Sequence, residues 1–367
     1  MRKRWSIAAL VAVCAAFPAA AQVTEYKLNA DGGWVAVPPP PMTPSQETIA
    51  KARTLLADNK ASETISLLDP WIDANLLKNS PELPEAYLLR ADAKVTEGNE
   101  YKALYDYEAV IKGFPDSEQY TRAVERELEI AIKYVHGLKR KWLGMRIVSA
   151  DDVGEELLVR TQERLPGSEL AERAGIELAD YYYRTRELKL AADAYEIFLA
   201  NFPRSRYADK ARQRRIYANI ARFKGPNYDA AALVDARVLI EEYNRTDPLA
   251  AQRAGMTDAL VSRLEESIAA QILLRAQWYL KRGDPVSARY NLQRLVAIHP
   301  QTVAAKSAVK MLNERGWALT SRAATADLAG FGPPPPDGVA VPPPAPESPQ
   351  ANPSPDKPSS DKPENNP

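Results

Sequence analysis

The sequence predicts an all-α fold of stacked helical hairpins, and three observations carry that expectation. Apolar residues recur at helical spacing in paired stripes, the pairs share one register of small residues, and each pair closes on a proline. The stretch from Ser168 to Ser205 shows all three. Ala171, Ala174, Leu178, Ala179 and Tyr182 share one helical face. After the polar break Arg184–Arg186, a second stripe follows with Leu190, Ala191, Ala194, Tyr195, Phe198 and Leu199. Pro203 stops that helix, because it has no N–H and clashes with the preceding turn. Ser205 is placed to cap the next one.

The register repeats. Ala91, Ala103, Tyr107 and Pro115 follow intervals of twelve, four and eight residues, as do Ala179, Ala191, Tyr195 and Pro203, and Ala276, Ala288, Leu292 and Pro300. Small residues let two helices approach, and the aromatic or leucine fills the gap. Such a pair cannot bury its apolar face alone, so it stacks on its neighbours.

The chain has 367 residues, 45% of them hydrophobic, enough for a sizeable core. Formal net charge is zero, so no global field draws it to nucleic acid. Residues 1–21 read as a signal peptide: Arg2, Lys3 and Arg4, an apolar run from Trp5 to Phe17, then Ala19 to Ala21 before Gln22. The run is too short to span a bilayer. Cys14 is the only cysteine, and Val13 precedes it where lipoprotein processing wants a smaller residue. Cleavage after Ala21 therefore leaves an exported chain without a thiol.

Residues 22–42 read as an extended arm, with Trp34 tucked against the first helices. Thr43, Pro44 and Gln46 have the pattern of a capped helix start. Residues 43–317 divide into about six helix pairs. The first is degenerate, with Pro70 expected to kink or interrupt its second helix. The third carries an insertion around residues 136–146, between helices expected at about Glu118–Val135 and Ala150–Arg164. The fifth keeps the spacing only as Ile220, Ala232, Ala236 and Asn244. Residues 249–265 read as a helical extension, and 303–316 as a capping helix. The region 318–367 is expected to be a disordered proline-rich tail, since from about Ala323 too little apolar surface remains to offset chain entropy.

The repeats resemble the tetratricopeptide repeat. More narrowly they resemble those of the D subunit of the β-barrel assembly machinery (BamD). The run from Tyr195 to Phe202, Pro203 and Ser205 carries this, as does Tyr279, Arg282, Gly283 and Ala288 with His299, Pro300 and Thr302. The resemblance covers about Pro84 to Trp317. It implies an envelope scaffold in outer-membrane β-barrel assembly, whose protein partners are barrel-assembly components or unfolded barrel substrates. Its family pattern puts a peptide groove on Arg173, Asp180, Tyr183 and Arg184, and on Gln277 and Lys281. The same residues also fit ordinary exposed helix positions. The alternative function is a periplasmic adaptor for cell-wall synthesis or division.

No P-loop, HExxH, GxSxG or CxxC occurs. No catalytic residue, metal or cofactor is expected, and His136 and His299 are read as packing or capping. Glu125, Glu127 and Glu129, and Arg212, Arg214 and Arg215, are read as solvated helix faces. The sharpest basic feature is Lys139, Arg140, Lys141, Trp142 and Arg146 in the insertion. Contact with anionic lipid headgroups or an acidic partner is one reading. The favoured one is a solvated loop with Trp142 packed inward.

Overall fold

The computed structural model describes residues 25–28, 34–37, 41–78 and 80–317. The expected signal peptide, the proline-rich tail and the packing of the Trp34 side chain lie outside what is described. The arm at 22–42 contains an antiparallel hairpin, β1 (Glu25–Leu28) with β2 (Trp34–Val37). Fourteen α-helices follow among the described residues. They group into two compact units, residues 1–223 with 235–256, and residues 224–234 with 257–367.

In the first unit, α1 (Pro44–Ala57) and α2 (Ala61–Asn75) form the opening pair. Thr43 caps α1 in a full capping box with Gln46, as the sequence predicts. Helix α2 continues through Pro70. Next come α3 (Leu83–Thr96) with α4 (Glu100–Gly113), and α5 (Gln119–Val135) with α6 (Asp151–Arg164). The strands β3 (Arg140–Trp142) and β4 (Met145–Val148) stand between α5 and α6. Then follow α7 (Glu169–Arg184), α8 (Leu188–Asn201) and α9 (Ala208–Arg222). Each helix packs on the next, and α1, α3, α5, α7 and α9 also touch in succession. That second contact lines the first helices of the pairs along one side.

The register of the sequence is the register of the core. Ala91, Ala103, Tyr107, Ala179, Ala191 and Tyr195 are fully buried. In the first pair Ala52, Thr64 and Leu68 hold the same three slots, and Thr64 satisfies its hydroxyl on Lys60 O. In the third, Ala131, Gly154 and Leu158 do so, and Pro166 follows eight residues later. There the first interval is 23 residues, eleven longer than in the other pairs, and the β3–β4 hairpin fills it. The turn inside a pair needs a left-handed residue seven positions after the first alanine. Gly98 and Gly283 supply it, but Asn59 and Arg186 also adopt it, at φ 60° and 68°.

The prolines act on the residue before them. Phe114, Leu165, Phe202 and His299 end α4, α6, α8 and the later α13 with φ between −138° and −124° and ψ between 53° and 61°. Steric conflict with the proline ring excludes the helical conformation there. The hydroxyl two residues after each proline caps the next helix in some pairs only. Ser168 accepts from Ala171 N, and Thr302 from Ala305 N. Ser205 does not cap α9; it accepts from Tyr207 N in the turn and donates to Glu172. Ser117 bonds Phe114 O instead of capping α5.

Helix α10 (Ala231–Thr246) and the short α11 (Pro248–Arg253) come next. The fifth pair differs from its expected register: Ala218 is fully buried, whereas Ile220 is only half-buried. In the second unit α12 (Asp258–Lys281), α13 (Pro285–Ile298) and α14 (Val303–Glu314) pack on one another. The extension at 249–265 is thus α11, a break, and the opening turns of a 24-residue α12. Ala276, Ala288 and Leu292 are fully buried in this unit. Glu266 caps α14 from α12 by accepting from Val303 N and Ala304 N. No described helix is long and apolar enough to cross a membrane.

Candidate functional site: a cleft along the first helices

The side shared by α1, α3 and α5 holds a cleft of about 510 Å³. Helical periodicity brings Leu56 from α1, Leu89 and Val95 from α3, and Ile130 from α5 to its apolar lining. Charged groups surround them. Arg53 donates Nε and Nη2 to the two oxygens of Glu85, which raises its pKa despite opposition from burial. Asp92 accepts from the buried Tyr107 hydroxyl at 2.6 Å and lies 3.4 Å from Arg126, which also bonds Glu129. Burial, then Asp92, push the Tyr107 hydroxyl pKa far up, so it stays a donor.

Arg122 and Lys133 line the same cleft, are exposed, and have no carboxylate partner among the described ion pairs. They lie eleven residues apart on α5, three turns or on the order of 16 Å. The cleft can therefore hold a segment that offers an apolar anchor between two acidic ends.

The residues expected from the sequence are the fourth pair's copy of this surface. Arg173, Asp180, Tyr183 and Arg184 lie 88 residues after Glu85, Asp92, Val95 and Thr96, and all four of those line the cleft. The offset extends to the polar network. Tyr195 donates to Asp180 as Tyr107 does to Asp92, and Arg214 pairs with Asp180 as Arg126 does with Asp92.

Asp180 is consequently not an exposed groove residue. It is 8% exposed and accepts from Tyr195, Lys210 and Arg214. Tyr183 is half-buried under the Arg214 guanidinium, 5.5 Å from its ring. Arg184 is exposed and donates to Val135 O, and Arg173 is exposed. In the second unit Gln277 is half-buried and Lys281 exposed. Sequence reasoning missed Arg53, Arg122 and Lys133, although the 88-residue offset was available to lead back to α3.

Other expectations change as well. Arg212, Arg214 and Arg215 are paired with Asp209, Asp180 and Glu196 rather than simply solvated. Glu127 is 1% exposed and bonded to Arg164, not on a solvated face. Arg164 also serves Glu108. Glu108 is also met by Arg160 and Lys112. Burial pushes the Glu127 pKa up to about 7, whereas at Glu108 burial is opposed by Arg164 and Lys112, which together lower its pKa. His136 lies 2.9 Å from Glu177, and His299 is buried at the end of α13.

The basic insertion is a hairpin, and Trp142 is 58% exposed rather than packed inward. Lys141 donates to Glu97 O, and Arg146 bonds Glu100 and Gly98 O. Arg140 stacks on Tyr101, and Lys139 is exposed.

Residues 152–329 match the model of the YfiO family, described as outer membrane lipoprotein. Over that stretch the chain is similar to BamD-like tetratricopeptide-repeat proteins. At family level the relationship is to outer-membrane lipoproteins of the assembly machinery, a non-catalytic scaffold family of the cell envelope. A search of curated proteins finds no match. The matched stretch of this BamD-like chain begins in α6 and includes Arg173, Tyr183, Gln277 and Lys281, whereas the cleft and the β3–β4 hairpin precede it.

Proposed function

We propose that the chain is a non-catalytic scaffold in outer-membrane β-barrel protein assembly, and that it holds partner or substrate segments along the first helices of its pairs. The observation that carries this is the cleft between α1, α3 and α5, with its apolar lining and the uncommitted Arg122 and Lys133. Many modest contacts along one face suit an extended or helical segment. The exposed Arg173 and Arg184 of the fourth pair extend the same side by register. The chemistry favours segments with acidic groups flanking an apolar residue, because paired cations left in water draw anionic partners and speed encounter.

The test is a pull-down from solubilised envelope with wild type and the double reversal Arg122→Glu, Lys133→Glu, helicity checked for each. Both side chains are exposed, so the reversal should leave the fold intact while capture falls at least about tenfold, as loss of paired electrostatic contacts commonly produces. Undiminished capture of barrel-assembly components by the reversal would refute the cleft reading. Recovery of cell-wall enzymes alone would make the chain a periplasmic adaptor instead.

A further inference from the structure

The β3–β4 hairpin reverses the usual sense of a half-buried sheet. In an antiparallel pair, opposed residues share a face and alternate residues switch face. Trp142 pairs with Met145, and a register shift in β4 leaves Ile147 without a partner beside them. These three and Leu143 at the turn are 58%, 59%, 48% and 77% exposed. The opposite face carries the pair Lys141 and Arg146, which turns inward onto Glu97 O, Gly98 O and Glu100. The apolar side thus faces water while charged groups pin the hairpin to the turn between α3 and α4. Such an arrangement forgoes burial of four large side chains and implies another surface that receives them.

Two further features mark the tip as built. Leu143 adopts φ 48° ahead of Gly144 at φ 83°. A leucine in the left-handed region is strained, and Asn or Asp would form the turn more easily. The strain persists at a side chain that is largely in water, as expected where it acts elsewhere. The hairpin is also an insertion, since it occupies the added residues of the third pair.

Charge identifies the receiving surface. Residues 136–150 contain no carboxylate and carry Lys139, Arg140, Lys141 and Arg146. Of these four, only Arg146 has a carboxylate partner among the described ion pairs. The Arg140 contact with Tyr101 and the Lys141 bond to a carbonyl leave their charges uncompensated. Tyr101 in turn meets the exposed Tyr105, which extends the aromatic surface from the hairpin base. Apolar side chains at a tip, with cations and aromatic rings behind them, match the layers of a lipid interface: acyl boundary, headgroups and anionic phosphates.

We propose that the β3–β4 hairpin is a peripheral membrane anchor that seats Trp142, Leu143 and Met145 in an anionic phospholipid surface, with Lys139, Arg140 and Lys141 at the headgroups. The assignment stands on the hairpin alone and does not depend on what the cleft binds.

The experiment is co-sedimentation of the full chain, as isolated from the envelope, with phosphatidylglycerol-containing vesicles and with pure phosphatidylcholine vesicles, at low and high salt. The comparison variants are the triple change Trp142→Ser, Leu143→Asn, Met145→Ser, and the charge reversal Lys139→Glu, Arg140→Glu. Wild type should sediment with anionic vesicles and be released by salt, since exposed charges are screened within about 10 Å at moderate ionic strength. The triple variant should partition at least about tenfold more weakly, because each interfacial side chain contributes apolar area. The reversal should lose the preference for anionic lipid. Leu143→Asn alone relieves the positive φ and should fold at least as well as wild type, so lost binding by that variant reports the surface and not unfolding. Equal sedimentation of wild type and triple variant, or equal binding to both vesicle types at any salt, would overturn the proposal. So would hairpin variants that lose a protein partner while vesicle binding stays intact.

Discussion

Replacing Gly154 by alanine should destabilise the protein, against the usual trend for a glycine inside a helix. Gly154 lies in α6 in the slot that Ala103 and Ala191 occupy in the neighbouring pairs. On helix propensity alone the change would gain about 1 kcal/mol. A Cβ placed there, however, lies 2.9 Å from Ala131 O, 2.9 Å from Val135 Cγ1 and 3.0 Å from Tyr134 Cβ. The first of these is a backbone carbonyl of α5 and cannot swing aside. The two helices must therefore separate by a few tenths of an ångström, and every contact along their interface weakens together. Overpacking of this kind costs about 1–3 kcal/mol, and with a rigid backbone carbonyl in the way the upper part of that range applies, so the net change should be a loss of up to about 2 kcal/mol. Gly175 in α7 is the control. A Cβ there meets the end of the Gln162 side chain, Oε1, at 3.1 Å and a ring carbon of Phe198, Cδ2, at 3.3 Å, with no backbone atom as near. Gly175→Ala should therefore be neutral or stabilising. Urea unfolding followed by circular dichroism compares the two. A Gly154→Ala chain as stable as wild type, or more so, would refute the argument that backbone approach sets this position.

Asp180→Ala should cost about 2–4 kcal/mol, because it strands the buried Tyr195 hydroxyl and frees two cations. Tyr195→Phe in the same chain should recover part of that loss, and additive losses in the double variant would count against a shared network. Glu127 binds its proton more tightly folded than unfolded, so its contribution is full below the ordinary carboxylate pKa of 4.5 and is lost as pH rises through about 7. Glu127→Gln should flatten the difference in stability between about pH 5 and about pH 8 by on the order of 3 kcal/mol, and an unchanged difference in melting profiles would exclude this. The mature chain should begin at Gln22, because Ala19 to Ala21 fit a signal-peptide cleavage site. Intact-mass analysis tests this, and a diacylated chain starting at Cys14 would disprove it.

The sequence by itself determined the repeat. Alanines twelve residues apart, an aromatic or leucine four further and a proline eight beyond that are steric requirements of close helix pairs, and each acts within one hairpin. The alanine and the aromatic or leucine positions are fully buried in the pairs where the pattern is intact, and the residue before the proline ends the helix in each case. The same register indicated which face of each first helix points away from the core.

Only the tertiary structure decided what that face does at each pair. Asp180 and Glu85 lie on corresponding faces, yet Asp180 is consumed by Lys210 and Arg214, which approach from α9, while Glu85 meets Arg53 across the cleft. Glu127 reads as a surface charge until Arg164, 37 residues away, closes over it. In the insertion, local composition could not say which of Trp142 and Arg146 turns inward. The α3–α4 turn, with Glu100 and two free carbonyls, binds the cations and leaves the indole in water. Backbone register is set by neighbours in the chain, but whether a charge is solvated, paired or buried depends on which distant helix arrives beside it.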